Sequence, residues 1–431
     1  MQITTHYLIG FDFRQFGMLG LVIFAFFGWL ATAGSTLGAI IIVFGILLNI
    51  GSFWRSIYRQ PLFWLSLLAM GFILLHGLLQ KPLDDQSARY AARYSTGLIY
   101  LWLFPLIAWY LSGRQEFARW LVGLAAVGLC IQVLRVTDWQ NLAVFFNRRQ
   151  DFGFSFTGAA LHCALSVWGL VFLSAFVYRK YSGWLKWIVV ILALLGIILL
   201  TETLILTQSR AGWVALLAAL VFTGLLFVGK EPATLKGVKK RYLIVPAVMI
   251  CLLLGGMLSA NFDKLSSRVL AESNVYKTLL SFDRSQIPYT SVGARAHMLL
   301  YGIELWRKKP WLGWGVGSSR SLLAMDEKMR PYDHPHFHNN YLELLVEQGV
   351  FGFAFYFLAF IYLMRGLFKA NAAGTVAKDI FYYLIGAWVM VLVWSLVDSR
   401  MVHVDVRFAL LLLSGISFSV MLTREQSAAR N

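Results

Sequence analysis

Three histidines lie within five positions in His334-Pro-His-Phe-His338, at the end of the longest polar stretch of the chain. The pKa of histidine lies nearest to physiological pH, so His338 could act as a general base where the chain enters an apolar helix. An H-x-H-x-H pattern could also hold zinc, but Pro335 disfavours a helix and no cysteine completes a ligand set. We therefore expect no metal and no cofactor. Surface histidines without a chemical role are the third alternative.

Arginines could supply the positive charge that such chemistry needs. Arg210 lies in Gln208-Ser-Arg-Ala-Gly212 between two apolar segments, and Arg295 lies in Gly293-Ala-Arg-Ala-His297 at the start of an amphipathic pattern. A charge at the end of a membrane helix is costly and often functional. The guanidinium group matches diphosphate oxygens in bidentate geometry, so both arginines could stabilise a departing diphosphate without a metal ion. Anchors that snorkel to the membrane surface are the alternative interpretation.

The elements that must position these residues are membrane helices. Of the 431 residues, 59% are hydrophobic and only 14% are charged, whereas about 25% are charged in a typical soluble domain. Apolar runs of about 20 residues recur along the chain, which predicts an all-α, polytopic membrane protein with about 12 transmembrane helices. We predict them near residues 16–33, 35–53, 61–80, 95–112, 117–136, 158–178, 184–206, 211–229, 242–259, 346–364, 380–397 and 405–423.

Breaks between and within these spans can also be predicted. Ala33-Gly34-Ser35 separates the first two spans and predicts a tight turn there. Pro105 and Pro246 lie within spans and predict kinks, which membrane helices tolerate. Pro310-Trp-Leu-Gly-Trp-Gly-Val-Gly317 could cradle phosphate through its backbone N–H groups or could form a tight turn packed on the membrane. We favour the turn, because the run lacks the Lys-Ser/Thr of a P-loop.

The net charge of +17 is distributed unevenly along the chain. Basic residues are dense in the short loops on the N-terminal side, including the cluster at 230–241, which predicts cytoplasmic termini. The long segment 260–340 then lies outside, with amphipathic helices at 262–280 and 293–308. We accordingly divide the chain into spans one to nine (1–259), a periplasmic module (260–340) and spans ten to twelve (341–431).

The opposite loops are rich in arginine rather than lysine, which favours an anionic ligand or lipid headgroups over nucleic acid. These arginines are Arg89, Arg93, Arg135, Arg148, Arg149, Arg210, Arg400 and Arg407.

Several short motifs, taken in order, resemble those of the O-antigen ligase and polymerase superfamily. They are Ser209-Arg-Ala-Gly212, Gly293-Ala-Arg295, Lys309-Pro-Trp-Leu-Gly-Trp-Gly315 and His338-Asn-Asn-Tyr-Leu-Glu-Leu-Leu-Val-Glu-Gln-Gly349, with a looser match at Asn147-Arg-Arg-Gln-Asp-Phe-Gly153. The resemblance implies a metal-independent, inverting glycosyltransferase of the bacterial inner membrane, active on the periplasmic face. An O-antigen ligase of this superfamily transfers a glycan from undecaprenyl diphosphate to the lipid A-core oligosaccharide in lipopolysaccharide biosynthesis.

Carried onto this sequence, the resemblance implies catalytic roles for His338, Arg210 and Arg295. Further candidates for substrate binding are Arg149, Arg148, Arg89, His336 and Tyr341. A polymerase of the same superfamily would share the chemistry, as would a protein O-oligosaccharyltransferase. We favour the ligase because the chain is of modest length and one large outer loop dominates. A transporter of the same lipid-linked glycan would also need arginines, but not a histidine at the membrane boundary, and no inverted repeat is visible. A membrane scaffold would explain neither feature.

Overall fold

The computed structural model describes residues 13–230, 255, 262, 287–327, 329–330 and 333–428, and all regular secondary structure in them is helical. Sixteen helices have defined bounds within these residues. They are α1 (Phe13–Phe27), α2 (Thr32–Leu48), α3 (Ile50–Ile57), α4 (Pro61–Leu79), α5 (Asp85–Leu101), α6 (Phe104–Leu111), α7 (Gln115–Val136), α8 (Leu142–Asn147), α9 (Phe156–Lys180), α10 (Trp184–Leu206), α11 (Arg210–Lys230), α12 (Ser291–Lys308), α13 (Ser319–Met325), α14 (Asn340–Ala372), α15 (Lys378–Trp394) and α16 (Val404–Ala428).

The chain is a multi-pass membrane protein. In the described residues, eight helices are long and apolar enough to cross a membrane, counting α5 and α6 together, and the bent pair α2–α3 could make a ninth. The number predicted from the sequence, about twelve, is therefore not confirmed. Helix α1 has 15 residues and α15 has 17, so both are shorter than the 18 residues of such a span. The predicted span 242–259, with Pro246, and the predicted helix 262–280 lie outside the described residues.

The first helical hairpin differs from the prediction. Its turn lies at residues 28–31, and Ala33-Gly34-Ser35 belongs to α2. A Cβ atom at Gly34 would lie only 2.3 Å from the Phe27 ring, so this glycine allows close packing of the two helices rather than a turn. The predicted second span is also broken, since α2 and α3 meet at an angle of 88°. Near Pro105, helix α5 ends and α6 begins, as the predicted kink requires.

Helix α9 lies in the core of the bundle. It packs against α7, α10, α11, α15 and α16. Its first turns carry small residues, which let neighbouring backbones approach closely in membrane proteins. A Cβ atom at Gly212 of α11, for example, would lie 2.5 Å from the Cβ of Ala160. The central position of α9 brings its N-terminus against the loops that follow α10 and α15.

The glycine-rich run inserts into a break in α14. Gly349 has φ 63°, which interrupts the helix. The N–H groups of Trp314 and Gly315 donate to the carbonyls of Val346 (2.8 Å) and Glu347 (2.9 Å). Beyond the break, Val350 N–H donates to the Pro310 carbonyl at 2.8 Å. The run is thus a turn packed on α14, and these two loop N–H groups are already used, so they do not cradle phosphate.

Candidate active site

The described parts of four segments meet at one end of the bundle, and we call this end the loop face: residues 137–157, residues 207–209, residues 310–339 without 328, 331 and 332, and residues 395–403. Asn339 caps α14, because its Oδ1 accepts the Leu342 N–H at 3.0 Å. Its Nδ2 donates to the Leu396 carbonyl (3.1 Å), and Asn340 N–H donates to the Ser395 carbonyl (2.9 Å). The histidine segment, residues 334–338, is therefore anchored both to α14, which follows it, and to the loop between α15 and α16.

His338 faces a buried carboxylate on that loop. Its Nδ1 lies 3.5 Å from Oδ1 of Asp398, and its side chain is 23% exposed whereas that of Asp398 is 3% exposed. His338 also has φ 52°, a backbone conformation that is uncommon for a non-glycine residue. A partly exposed imidazole beside a buried carboxylate is the arrangement of a base held in one orientation by a third group.

Asp398 is held by further donors. The Thr157 hydroxyl, at the N-terminus of α9, donates to its Oδ2, and Ser399 N–H donates to its Oδ1 at 2.8 Å. Burial alone would raise the pKa of Asp398, but the His338 imidazole, the neighbouring His336 and the Thr157 hydroxyl outweigh it and lower the pKa below the ordinary value. Asp398 is accordingly a carboxylate at neutral pH.

His336 is the buried neighbour of this pair. Its Nδ1 accepts the backbone N–H of His338 at 3.2 Å, so the proton of the neutral ring is on Nε2, which lies 3.8 Å from Asp398 Oδ1. Burial, with a smaller effect from His338, lowers the pKa of His336 to about 3. Burial also lowers the pKa of His334, and the charges of His338 and Arg295 lower it further. His336 is therefore neutral at physiological pH.

The ligand atoms of His336, His338 and Asp398 all lie within 4.8 Å of one another. In the part of the chain that the structure describes, this is the only group of three or more such side chains with that spacing. Three protein ligands and an open position are also the pattern of a catalytic zinc site. Metal independence thus remains a prediction, and chelation is the way to test it.

A second histidine–carboxylate pair, His162 and Asp405, contacts the same loop through Arg400. His162 Nε2 lies 3.0 Å from Asp405 Oδ2, and Arg400 Nη2 lies 3.8 Å from Asp405 Oδ1. Trp29 packs its ring on His162, with centroids 5.0 Å apart, and donates to the Asp405 carbonyl at 3.1 Å. Burial, then repulsion from Arg400, lowers the pKa of His403 to about 4. These contacts hold the loop that carries Asp398.

The predicted arginines lie at two places: Arg295 is on α12, whereas Arg149 and Arg210 lie at the turn between α10 and α11. Arg295 is the fifth residue of α12, with Nη1 3.4 Å from Ser291 Oγ, and it is near enough to His334 to lower the pKa of that histidine. Arg149 donates from Nε to the Thr207 carbonyl (2.8 Å), and its guanidinium lies 3.8 Å from the centroid of the Phe156 ring. Thr207 belongs to the turn that leads into Arg210 at the start of α11.

These contacts connect Arg149 to the carboxylate beside His338. Phe156 precedes Thr157, whose hydroxyl binds the carboxylate beside His338. A continuous set of contacts thus runs from Arg149 through the start of α9 to Asp398.

The other predicted binding residues lie differently. Arg89 and Arg148 are exposed, and within the described residues neither guanidinium forms a hydrogen bond or an ion pair. Tyr341 is half-buried, and its hydroxyl donates to the Leu392 carbonyl at 2.9 Å. It lines an apolar groove between α5–α6, α14, α15 and α16. Roles for these three residues in substrate binding remain predictions.

Sequence reasoning missed the acidic members of the site. Asp398 and Asp405 lie in and just after a short polar run between two apolar spans, Val397-Asp-Ser-Arg400. Ionisable residues at such positions are expensive and often functional, and this signal could have identified them. Thr157 and His162 give no comparable signal, since both lie inside an apolar helix.

Comparison with known families gives one match. Residues 195–357 match the family model described as O-Antigen ligase. The matched region runs from α10 to the part of α14 beyond its break, and it includes Arg210, Arg295 and His338. Over these residues, the match bears out the resemblance to this superfamily that the short motifs predicted. Among curated proteins, the comparison found no match to this chain.

Proposed function

We propose that this member of the O-antigen ligase superfamily transfers a glycan from undecaprenyl diphosphate to the lipid A-core oligosaccharide. The observation that carries the proposal is the His338–Asp398 pair at the loop face. His338 lies inside the matched region, and Asp398 follows it in the sequence. A partly exposed imidazole with a buried carboxylate partner supports general-base chemistry. The ligase is one activity of the superfamily, and lipid-linked glycans are the substrates that the superfamily implies.

The reaction is a single displacement at the anomeric carbon of the donor. His338 takes the proton from the acceptor hydroxyl, and the oxygen attacks the anomeric carbon on the face opposite the diphosphate. The carbon–oxygen bond to the diphosphate breaks as the new glycosidic bond forms, so the configuration inverts. Asp398 stabilises the imidazolium that results.

The leaving diphosphate carries the electron pair of the broken bond and needs cationic partners. Arg210 and Arg295 fill this role, with Arg149 at the same turn as Arg210. Fixed guanidinium groups aimed at developing negative charge lower the barrier without reorganisation. Arg295 acts from the side of the histidine segment, and Arg210 from the start of α11.

We place the loop face in the periplasm and both termini in the cytoplasm of a bacterial inner membrane. Arg55, Arg59, Arg114, Arg179 and Lys180 lie in or beside the loops at the opposite end of the helices. Short loops rich in Lys and Arg are retained on the cytoplasmic side. A periplasmic loop face also gives the base access to a glycan acceptor.

The test is glycan transfer by purified protein with a lipid-linked donor. His338→Ala should abolish transfer while the protein still inserts and melts at the wild-type temperature. His334→Ala, which removes a neighbouring ring, is the matched control and should retain most activity. Wild-type transfer by His338→Ala would reject the general-base role.

Two acceptor conditions separate the related activities. A product that forms only when lipid A-core is added identifies a ligase, whereas a longer lipid-linked glycan formed from donor alone identifies a polymerase. If neither product forms and donor crosses proteoliposomes, a transporter of the lipid-linked glycan is the better description.

A further inference from the structure

Three arginines that the mechanism above does not use gather around the loop between α15 and α16. They are Arg93 on α5, Arg400 on the loop itself and Arg407, the fourth residue of α16. Burial is the main cause of the low pKa of His403, and the charges of Arg400 and Arg93 lower it further, so both guanidinium groups lie near this histidine. Arg407 in turn lies within electrostatic range of Arg93. We call these three residues the loop arginine cluster.

One face of α5 sets the position of two of these arginines. Arg93, Gly97 and Tyr100 follow the i, i+4, i+7 spacing of a single helical face. A Cβ atom at Gly97 would lie 3.2 Å from Nη1 of Arg407, whose guanidinium carbon lies 5.0 Å from the centroid of the Tyr100 ring. Arg407 therefore lies along α5, with Arg93 one turn nearer to the N-terminus of that helix. Arg89, one turn earlier again, continues the same face.

The cluster carries more positive charge than its partners neutralise. Arg93 is exposed, and it forms no hydrogen bond or ion pair with any residue that the structure describes. The side chain of Arg400 is only 17% exposed, yet its Nε is buried without a hydrogen-bond partner there, and its Nη2 lies 3.8 Å from Asp405 Oδ1. The two nearby carboxylates, Asp405 and Asp398, already bind other side chains. Since buried polar groups are rarely left without partners, the cluster calls for an anion.

The start of α9 separates this cluster from the arginines assigned to the leaving diphosphate. The Arg149 guanidinium packs on the ring of Phe156, whereas Nε of Arg400 would lie 3.6 Å from a Cβ atom at Gly158. Two residues along a helix correspond to a rotation of about 200°. The two arginines therefore lie on opposite sides of α9. The residue between them, Thr157, binds the carboxylate beside the catalytic base.

Two separate cationic places suit a reaction in which the acceptor attacks from the face opposite the diphosphate. With the donor diphosphate on the Arg149 side of α9, the other side is left for an anionic group of the acceptor. Lipid A is a phosphorylated glycolipid, and arginine binds phosphate oxygens in bidentate geometry. We propose that Arg93, Arg400 and Arg407 bind a phosphate group of the glycolipid acceptor and so hold its hydroxyl near His338. The identity of the acceptor rests on the proposed function.

The experiment measures binding of two glycolipids by the full-length protein in detergent, without donor and at fixed ionic strength. One is lipid A-core, and the other is the same material after removal of its phosphate groups. The wild-type Tm should rise in a saturable manner with lipid A-core, since a ligand that binds only the folded state stabilises it. The dephosphorylated glycolipid should bind more weakly by roughly tenfold or more, as expected for lost hydrogen bonds to a charged group.

Arg93→Gln should weaken binding of lipid A-core by roughly tenfold and leave binding of the dephosphorylated glycolipid unchanged. Because Arg93 is exposed, this variant should fold as the wild type does. Arg400→Gln is the second variant and should show the same selective loss. Arg135→Gln is the matched control, an exposed arginine at the same end of the bundle that donates to Gln132 Oε1 and to the Leu30 carbonyl. It should keep the wild-type affinity.

Equal wild-type affinities for the two glycolipids would overturn the proposal, as would undiminished binding in both variants. In transfer assays the variants should raise the KM for the acceptor. A rise in the KM for the donor alone would assign the cluster to the donor diphosphate and reject the proposal. Equal stabilisation by phosphatidylglycerol, lost in the same variants, would also reject it, because the site would then bind phospholipid headgroups.

The binding readout separates this proposal from the proposed function. If the wild type binds lipid A-core through its phosphate groups but transfers no glycan to it, the acceptor site stands and the ligase activity is wrong. If glycan is transferred equally well to both glycolipids by the wild type and by both variants, the ligase activity stands and the acceptor site is wrong.

Discussion

The imidazole of His338 and the carboxylate of Asp398 are 3.5 Å apart, and they come from two different loops at the same end of the bundle. Asp398 is almost fully buried, so its charge acts through the imidazole rather than through water. The carboxylate can orient the ring and stabilise its protonated form during proton transfer. The catalytic strength of His338 should therefore depend on a residue that need not touch either substrate.

Asp398→Asn should reduce glycan transfer by roughly 10²-fold or more, because the amide keeps the shape of the carboxylate but not its charge. Transfer rates of purified protein at saturating donor measure the effect, and the KM for donor should change little. Asp333→Asn is the control. Asp333 directly precedes His334, but its side chain is 71% exposed and pairs with Arg320. Equal losses in the two variants would mean that Asp398 has no special link to the base.

Excess EDTA should leave the transfer rate unchanged. We expect this because Asp398 lies 3.5 Å from His338 Nδ1 and accepts hydrogen bonds from Thr157 and Ser399, so the carboxylate can orient the imidazole without an ion. The measurement compares dialysed enzyme with and without chelator. Loss of activity that added Zn²⁺ restores would instead identify His336, His338 and Asp398 as a catalytic metal site.

The helices and the histidine were predictable because their signals are local. Apolar runs of helical length and the clustered histidines can both be read without knowledge of the fold. The turn at residues 28–31 was not predictable, since Trp29 is apolar and its place is set by distant partners, His162 and Asp405. The turn was sought at Gly34, where glycine instead serves close packing.

Asp398 escaped prediction for a related reason. Its place beside an apolar span marks it as a candidate functional residue, but the sequence does not show which residue it acts with. Its importance arises from the neighbours that the fold assembles, His338 from one loop and Thr157 from the start of a buried helix. Such tertiary contacts have no period or spacing in the sequence, so they become visible only in the structure.

Acid should destabilise the fold over a defined pH range. Burial lowers the pKa of His336 to about 3 and that of His403 to about 4, from the ordinary 6.5. Between these values and 6.5 the unfolded chain binds more protons than the folded chain, so the free energy of unfolding falls as the pH falls. Asp398 also has a lowered pKa, but it contributes only near and below its ordinary value of 3.8.

The measurement is Tm in detergent between pH 8 and pH 4. The Tm of the wild type should be nearly constant above pH 7 and should decrease below pH 6.5. His336→Gln should flatten part of this decrease, and adding His403→Gln should flatten more of it. An identical slope in the wild type and in both variants would contradict the assignment of these buried neutral histidines.

Gly349→Ala should destabilise the protein and lower its Tm by several degrees. Gly349 has φ 63°, and a Cβ atom there would lie 2.2 Å from the carbonyl oxygen of Trp311. Backbone strain alone costs about 1–3 kcal/mol at such a position, and the overlap would also push the glycine-rich run off α14.

Gly71→Ala is the matched control, because its added Cβ meets no atom within 4 Å and alanine in a helix should be neutral or stabilising by up to about 1 kcal/mol. A Gly349→Ala protein that melts at the wild-type temperature would show that the docking of the run on the helix break contributes little to stability.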